Sequence, residues 1–398
     1  MFSQRTPASL AANRLTVALA DRRKLGLPLI DLTVTNPTHC GIEYPNDEIL
    51  SALADRRSLT YEPEPCGRRE VREAIAAHHA RQGAVLNPDR LLLTASTSEA
   101  YSWVFKLLCS PGDEVLAPRP SYPLFDALGA LESIEVRTYP LLPALDWAID
   151  REALEAQLTP RTRVLLVVNP NHPAGAYVHL EDWIYLTELA ARRRLAIISD
   201  EVFFDYRLQE PGAPCSALSL ESGTLVLTLS GLSKIAALPQ MKLGWIHVGG
   251  PSELAKEARA RLEWIADAFL PVSAPVQFAA PVWLRLAPEI QESVLARCRA
   301  GLTVWGALRG PVAARPVGGG WTVLLEGPAT ISGEELVLRL LDREGILAQP
   351  GYFYDLNQEG FLAISLLVEV ETVRSAAPVL AEFWNQSSDF PSNNRWSV

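Results

Sequence analysis

The stretch "LAIISDEVFFDY" (195–206) opens on an apolar, β-branched run and turns abruptly into paired carboxylates. A short run of that kind, bounded by polar residues, reads as a buried strand. The residues before it, Leu180 to Arg194, carry helical spacing, so the unit is a helix feeding a strand, the building block of a parallel sheet. The same pattern recurs outward in both directions: "RLLLTAS" (90–96), "DEVLAP" (113–118), "RVLLVV" (163–168), "LVLTLS" (225–230) and "LGWIHV" (243–248) read as further strands, with a helix from Ser98 to Leu108. The fold class is therefore α/β, a large domain on a mostly parallel sheet. No repeat with a period of about 20–50 residues is present, which sets aside solenoids and propellers.

Beyond residue 290 the pattern changes to a long helical stretch and then "GGGWTVLLEG" (318–327), "GILAQPGYFYD" (345–355) and "GFLAISLLV" (360–368), the signature of a smaller α+β domain. The expected boundaries are 46–289 for the large domain and 290–384 for the small one. Residues 1–45 are too few for a domain and are expected to pack with the small one. The polar, aperiodic tail 385–398 is expected to be disordered.

Composition narrows the function classes. The 398 residues are 48% hydrophobic and 21% charged, with 36 basic against 46 acidic side chains and a net charge of -10. No dense block of Lys and Arg marks a nucleic-acid footprint, and no run approaches the roughly 18 apolar residues that span a membrane. The N-terminus "MFSQRTPASLAANRLTVALADRRKLG" reads as an amphipathic helix without the apolar core of an export signal. The five scattered cysteines lack metal-site spacing. A cytoplasmic protein with reduced, packing cysteines is expected.

In an open parallel sheet, ligands bind at the carboxyl ends of the strands, where loops and helix N-termini converge. After Thr94 come Ser96, Thr97 and Ser98, entering a helix as an anion cradle. "PRPSYP" (118–123) fixes Tyr122 in a proline-rich loop, "NPNHPAG" (169–175) carries His172, and Asp200 closes the opening strand. "SGLSKIAALPQMKLGW" (230–245) brings Ser230, Ser233, Lys234 and Lys242. Each alone has an ordinary explanation as a helix cap, a stiff turn or a solvated charge. Together, at one sheet edge, they suit pyridoxal 5'-phosphate: a cradle for the phosphate, an aromatic for the ring, a carboxylate for the ring nitrogen and a lysine for the Schiff base.

With "YEPEPCGRREVREAIA" (61–76) and "QPGYFYD" (349–355), these motifs, in this order, resemble the class I/II aminotransferases of pyridoxal-phosphate fold type I, the aspartate aminotransferase superfamily. The resemblance runs from about Asp31 onward. It implies a large domain with a mostly parallel sheet plus a small α+β domain, a Schiff-base role for Lys234, pairing of Asp200 with the pyridine nitrogen and stacking of Tyr122 on the ring. It implies phosphate contacts from Ser96, Thr97, Ser98 and Lys242, with Ser230 and Ser233 as phosphate or lysine partners. Tyr61 would reach the partner subunit's phosphate, so the active site would need a homodimer.

The sequence departs from the family pattern at four places. Lys242 stands where arginine is usual, which keeps the charge but loses the bidentate fork. His172 replaces the asparagine that donates to the cofactor's phenolic oxygen, and Phe203 replaces a tyrosine that does the same. In "GFLAISLL", Ala363 takes the place of the arginine that grips the substrate α-carboxylate. Asn36, in the segment that folds over the site in relatives, is the other substrate-side candidate. The leading expectation is an aminotransferase that moves an amino group between an amino donor and a keto or aldehyde acceptor. A decarboxylase, eliminase or aldol-type lyase on the same scaffold is the alternative. A fused regulator would need more chain before Asp31, and a dinucleotide oxidoreductase would need a G-x-G-x-x-G after a strand.

Overall fold

The computed structural model describes residues 2–209 and 214–387. By their contacts the residues fall into two compact units: Met1–Pro7, Ile42–Leu295 and Gly318–Gly320 form the first, and Ala8–Gly41, Ala296–Val317 and Trp321–Val398 the second.

The first unit is built on an eight-stranded sheet. Its strands are β1 (Leu91–Thr94), β2 (Glu114–Arg119), β3 (Glu135–Leu142), β4 (Ala148–Ile149), β5 (Thr162–Val168), β6 (Ala196–Asp200), β7 (Val226–Gly231) and β8 (Gly244–Gly249), in the order β1-β8-β7-β6-β5-β2-β3-β4. β7, β6, β5, β2 and β3 run parallel, β8 runs antiparallel to both β1 and β7, and β4 turns back on β3. Every strand expected for the large domain is present, its ends within two residues of those expected. The β3–β4 edge is not among them: "EVRTYPLL" mixes an arginine and a proline into a half-exposed run, the composition of an edge strand rather than a buried one.

The helices that matter to the site are α1 (Arg69–Ala80), α2 (Thr97–Leu108), α3 (Leu180–Arg193), α4 (Leu232–Ile235), α5 (Ser252–Phe269) and α6 (Ala274–Gly306). α2 is held by its apolar stripe. Trp103, Val104 and Phe105 are fully buried with Val164, Ile198 and Leu227 of the central strands. Each such side chain contributes about 1.5–3 kcal/mol over its exposed state. No described helix is long and apolar enough to cross a membrane.

The second unit carries a four-stranded antiparallel sheet, β9 (Ala313–Ala314), β10 (Thr322–Glu326), β11 (Gln349–Pro350) and β12 (Phe361–Ser365), in the order β9-β10-β12-β11. Helices Arg14–Lys24, Gly333–Glu344 and Val370–Asn385 belong to it, the first two joined by the Arg14–Glu334 ion pair at 2.7 Å. Asn385 closes the last of these helices, and the rest of the expected tail lies, from residue 388, outside the described residues.

Candidate active site

The carboxyl ends of β1, β5, β6 and β7 bring the first unit's candidates together. Asp200, the last residue of β6, pairs in register with Leu229 of β7, a few residues before Lys234. Asp200 is buried, and its two oxygens are engaged separately: the Tyr101 hydroxyl donates to Oδ2 at 2.7 Å and the Val202 N–H to Oδ1 at 3.1 Å. Burial pushes its carboxyl above the usual range, while Tyr101, Val202 and the nearby Lys234 pull the other way.

Lys234 lies on α4, a single helical turn. Its Nζ sits 5.1 Å from the centroid of the Phe203 ring. Burial brings its amine from 10.5 down to about 8, against the pull of Asp200. A one-turn helix leaves its last carbonyls without intrahelical donors, and here side chains supply them. The Tyr206 hydroxyl donates to the Lys234 carbonyl at 2.6 Å, Gln291 Nε2 to the Ile235 carbonyl at 2.8 Å, and the Tyr44 hydroxyl to the Ala237 carbonyl at 2.9 Å. Gln291 also donates to Asp205 Oδ2 at 2.6 Å, and His78 Nε2 lies 2.9 Å from that same oxygen. Nothing in the local spacing of its helix marks His78. Only the fold brings it to Asp205.

His172 stacks on Phe203 with ring centroids 5.6 Å apart and planes 26° from parallel, and meets Tyr122 edge-on at 6.1 Å. Burial, aided by the positive Lys234, takes its imidazole down to about 3, so it is neutral at ordinary pH. Tyr122 is itself 45% exposed. The loop carrying His172 is stiffened by Asn171, whose Nδ2 donates to the Pro120 carbonyl at 3.0 Å while its Oδ1 accepts from the Ala174 N–H at 3.2 Å.

The cradle expected at Ser96, Thr97 and Ser98 falls at the N-terminus of α2. The Ser96 hydroxyl oxygen caps it by accepting the Glu99 N–H at 3.1 Å, and Glu99 reaches back to the Ala95 N–H at 2.6 Å. The Thr97 and Ser98 amides donate to no acceptor among the described residues, and a helix N-terminus with open amides favours an anion. Two glycines allow this packing. A Cβ on Gly244 would lie 2.9 Å from both the Ser96 carbonyl carbon and Thr94 Oγ1, and 3.0 Å from the Thr97 nitrogen. A Cβ on Gly231, its partner across the β7–β8 rung, would lie 2.9 Å from the Leu243 carbonyl oxygen. At Gly231 the strand backbones leave no room for a side chain.

The remaining candidates are more dispersed. Ser230 is buried on β7, its hydroxyl 3.5 Å from the Glu201 carbonyl. Ser233 is half-buried, and Lys242 is exposed in a left-handed conformation at φ 53°. Tyr61 is 74% exposed. In the second unit, Ala363 is buried at the centre of β12, between Leu324 and Gln349, and presents no polar group. Asn36 uses its Oδ1 to accept from the backbone and hydroxyl of Thr38.

A parallel sheet whose carboxyl edge gathers a depressed lysine, a buried carboxylate, stacked aromatics and an open helix N-terminus defines a protein of the pyridoxal-phosphate transferase class. Residues 28–380 match the family of class I and II aminotransferases, and the chain belongs to that family. It is 29% identical over 255 residues to the glutamate–pyruvate aminotransferase of Escherichia coli K12, covering 64% of this chain and 63% of that protein, less than two thirds of the relative's length. It is 33% identical over 206 residues to an S-alkyl-thiohydroximate lyase of Arabidopsis thaliana, 52% of this chain and 44% of that protein. The alanine aminotransferase of Pyrococcus furiosus shares the fold at a TM-score of 0.83, with 24% identity, over 94% of this chain and 96% of that one. The fold is type I.

The family cofactor is pyridoxal 5'-phosphate, and the residues present fit it. The open Thr97 and Ser98 amides suit a phosphate, the buried Asp200 suits a protonated ring nitrogen, and the amine of Lys234 is poised near neutrality.

Proposed function

We propose that the protein is a pyridoxal-phosphate-dependent aminotransferase that moves an amino group between an amino donor and a keto or aldehyde acceptor. The observation that carries this reading is Lys234, its amine lowered to about 8 and placed near the buried carboxylate Asp200 at adjoining strand ends. The cofactor, when bound, supplies an electron sink for the substrate carbon that loses a proton.

The chain supplies the rest. With the cofactor bound, Thr97, Ser98 and Lys242 would hold the phosphate, and Asp200 would hold the ring nitrogen in its charged form. Tyr122 and Phe203 would confine the ring, and His172 would offer a neutral imidazole N–H to the phenolic oxygen. Burial lowers the Lys234 amine to about 8, which suits the same nitrogen to accept a proton and return it, general acid–base catalysis by a tuned lysine. Lys234→Ala should fold, lose the cofactor's visible absorption band and lose all turnover. Retained turnover would overturn the assignment.

The reading extends to substrate and assembly. Ala363 in place of the carboxylate-gripping arginine removes a charged contact that is commonly worth about 2–5 kcal/mol, so carboxylated donors should hold little advantage over carboxylate-free amines. A donor panel that compares KM within such pairs tests this, and a strong preference for the carboxylated members would reject it. Tyr61, exposed on one protomer, would complete the phosphate site of its partner in a cytoplasmic homodimer. Elimination is the second reading, supported by the similarity to the Arabidopsis lyase. Release of ammonia with no conversion of the cofactor to its amino form would favour it.

A further inference from the structure

Tyr101 is absent from the sequence-derived site, yet it is the side chain most closely tied to Asp200. It sits on α2 just inside the turn that carries the open Thr97 and Ser98 amides, is 3% exposed, and donates its hydroxyl to Asp200 Oδ2 at 2.7 Å. Its ring is pinned between Phe105 and Phe125, with centroids 5.7 and 5.3 Å away, so the hydroxyl has little freedom to point elsewhere. Burial and the neighbouring carboxylate push the phenol well above its ordinary value, which keeps it a neutral donor at every working pH.

A buried carboxylate favours its neutral form unless donors stabilise the charge. A protonated Asp200 would present an O–H to a ring nitrogen that has to be held as N–H. The Val202 N–H occupies the other oxygen, so Tyr101 is the one side-chain hydrogen bond to Asp200 among the described residues. We propose that Tyr101 is a positioning residue that holds Asp200 as an oriented anion against the cofactor's ring nitrogen, so that one helix sets both the phosphate end and the nitrogen end of the site. This rests on the function proposed above.

The test is Tyr101→Phe, which keeps the ring that packs against Phe105 and Phe125. Wild type and variant are loaded with pyridoxal phosphate labelled with ¹⁵N in the ring, and the nitrogen shift is followed with pH alongside steady-state kinetics. The expected result is a nitrogen that loses its proton about one pH unit lower and a kcat reduced about tenfold, with KM little changed, because a hydrogen bond to a charged acceptor is worth that much and acts where charge develops. In an Asp200→Asn background, Tyr101→Phe should leave the nitrogen shift where Asp200→Asn alone puts it, a non-additivity that loss of packing would not produce. A variant that binds the cofactor with the wild-type nitrogen titration overturns the role of Tyr101 alone. A wild-type protein that takes up no pyridoxal phosphate overturns the proposed function, and this role with it.

Discussion

Lys234 is held in an environment that disfavours its charge, and this has a thermodynamic signature separate from catalysis. Its folded-state value of about 8 lies below the ordinary 10.5, so between those two pH values the unfolded chain binds the extra proton. Stability should therefore rise with pH across that window, and the cost of the buried amine is fully present below about pH 8. Removing it with Lys234→Met should raise the melting temperature of the cofactor-free protein at pH 7, by the equivalent of about 3 kcal/mol, with the gain shrinking toward pH 10. Melting curves at several pH values check this, and a variant less stable at pH 7 would contradict it. His172 behaves differently. Its imidazole, brought to about 3, contributes no titration between pH 5 and 8, so a His172→Asn variant should keep the shape of the wild-type kcat profile in that range.

At the scale of elements, the one-turn helix α4 is kept in place by hydroxyl and amide donors from other parts of the first unit. Tyr206→Phe leaves the ring in the core but removes one donor from the Lys234 carbonyl. The expected cost is about 1 kcal/mol of stability, measured by urea denaturation, with a shift in the pH at which the bound cofactor's absorption changes. Gly244→Ala presses a methyl group against the backbone that shapes the α2 cradle. That overpacking should cost about 1–3 kcal/mol and weaken affinity for pyridoxal phosphate, as read by equilibrium dialysis.

These elements mark where the sequence was informative. Lys234, Asp200 and the Ser96–Ser98 cradle stand at strand ends, where a short apolar run and the residue after it locate them. Tyr206, Gln291 and His78 act on carbonyls and carboxylates brought near only by folding, and Tyr101 sits in the middle of an otherwise ordinary apolar stripe. Nothing in local spacing separates such residues from core. The β3–β4 edge escaped for a related reason, since edge strands lack the continuous apolar run that marks buried ones.

At the scale of the whole molecule, the proposed homodimer makes a prediction that no single chain can satisfy. A Lys234→Ala protein and a Tyr61→Ala protein should each be impaired, yet subunit exchange between them should restore activity, because one site in the mixed dimer regains both residues. Activity measured after co-refolding checks this, and no recovery would place Tyr61 outside the site. Assembly is invisible to strand and helix patterns, which report the inside of one chain. Tyr61 is exposed on the single chain, as the proposed contact with a partner requires.

The packing of α2 also sets a length standard for the site. Ser96 caps the helix and Tyr101 lies five positions further along it. At about 1.5 Å per residue, the helix sets an axial offset of roughly 7–8 Å between its capped N-terminus and the donor to Asp200. The same geometry fixes their relative orientation to about 100° per residue. Insertion of one residue between Ser98 and Tyr101 would preserve every motif as text. It would also swing the phenol about a quarter-turn away from the carboxylate, so the calibration resides in the count of residues along the helix as much as in their identities.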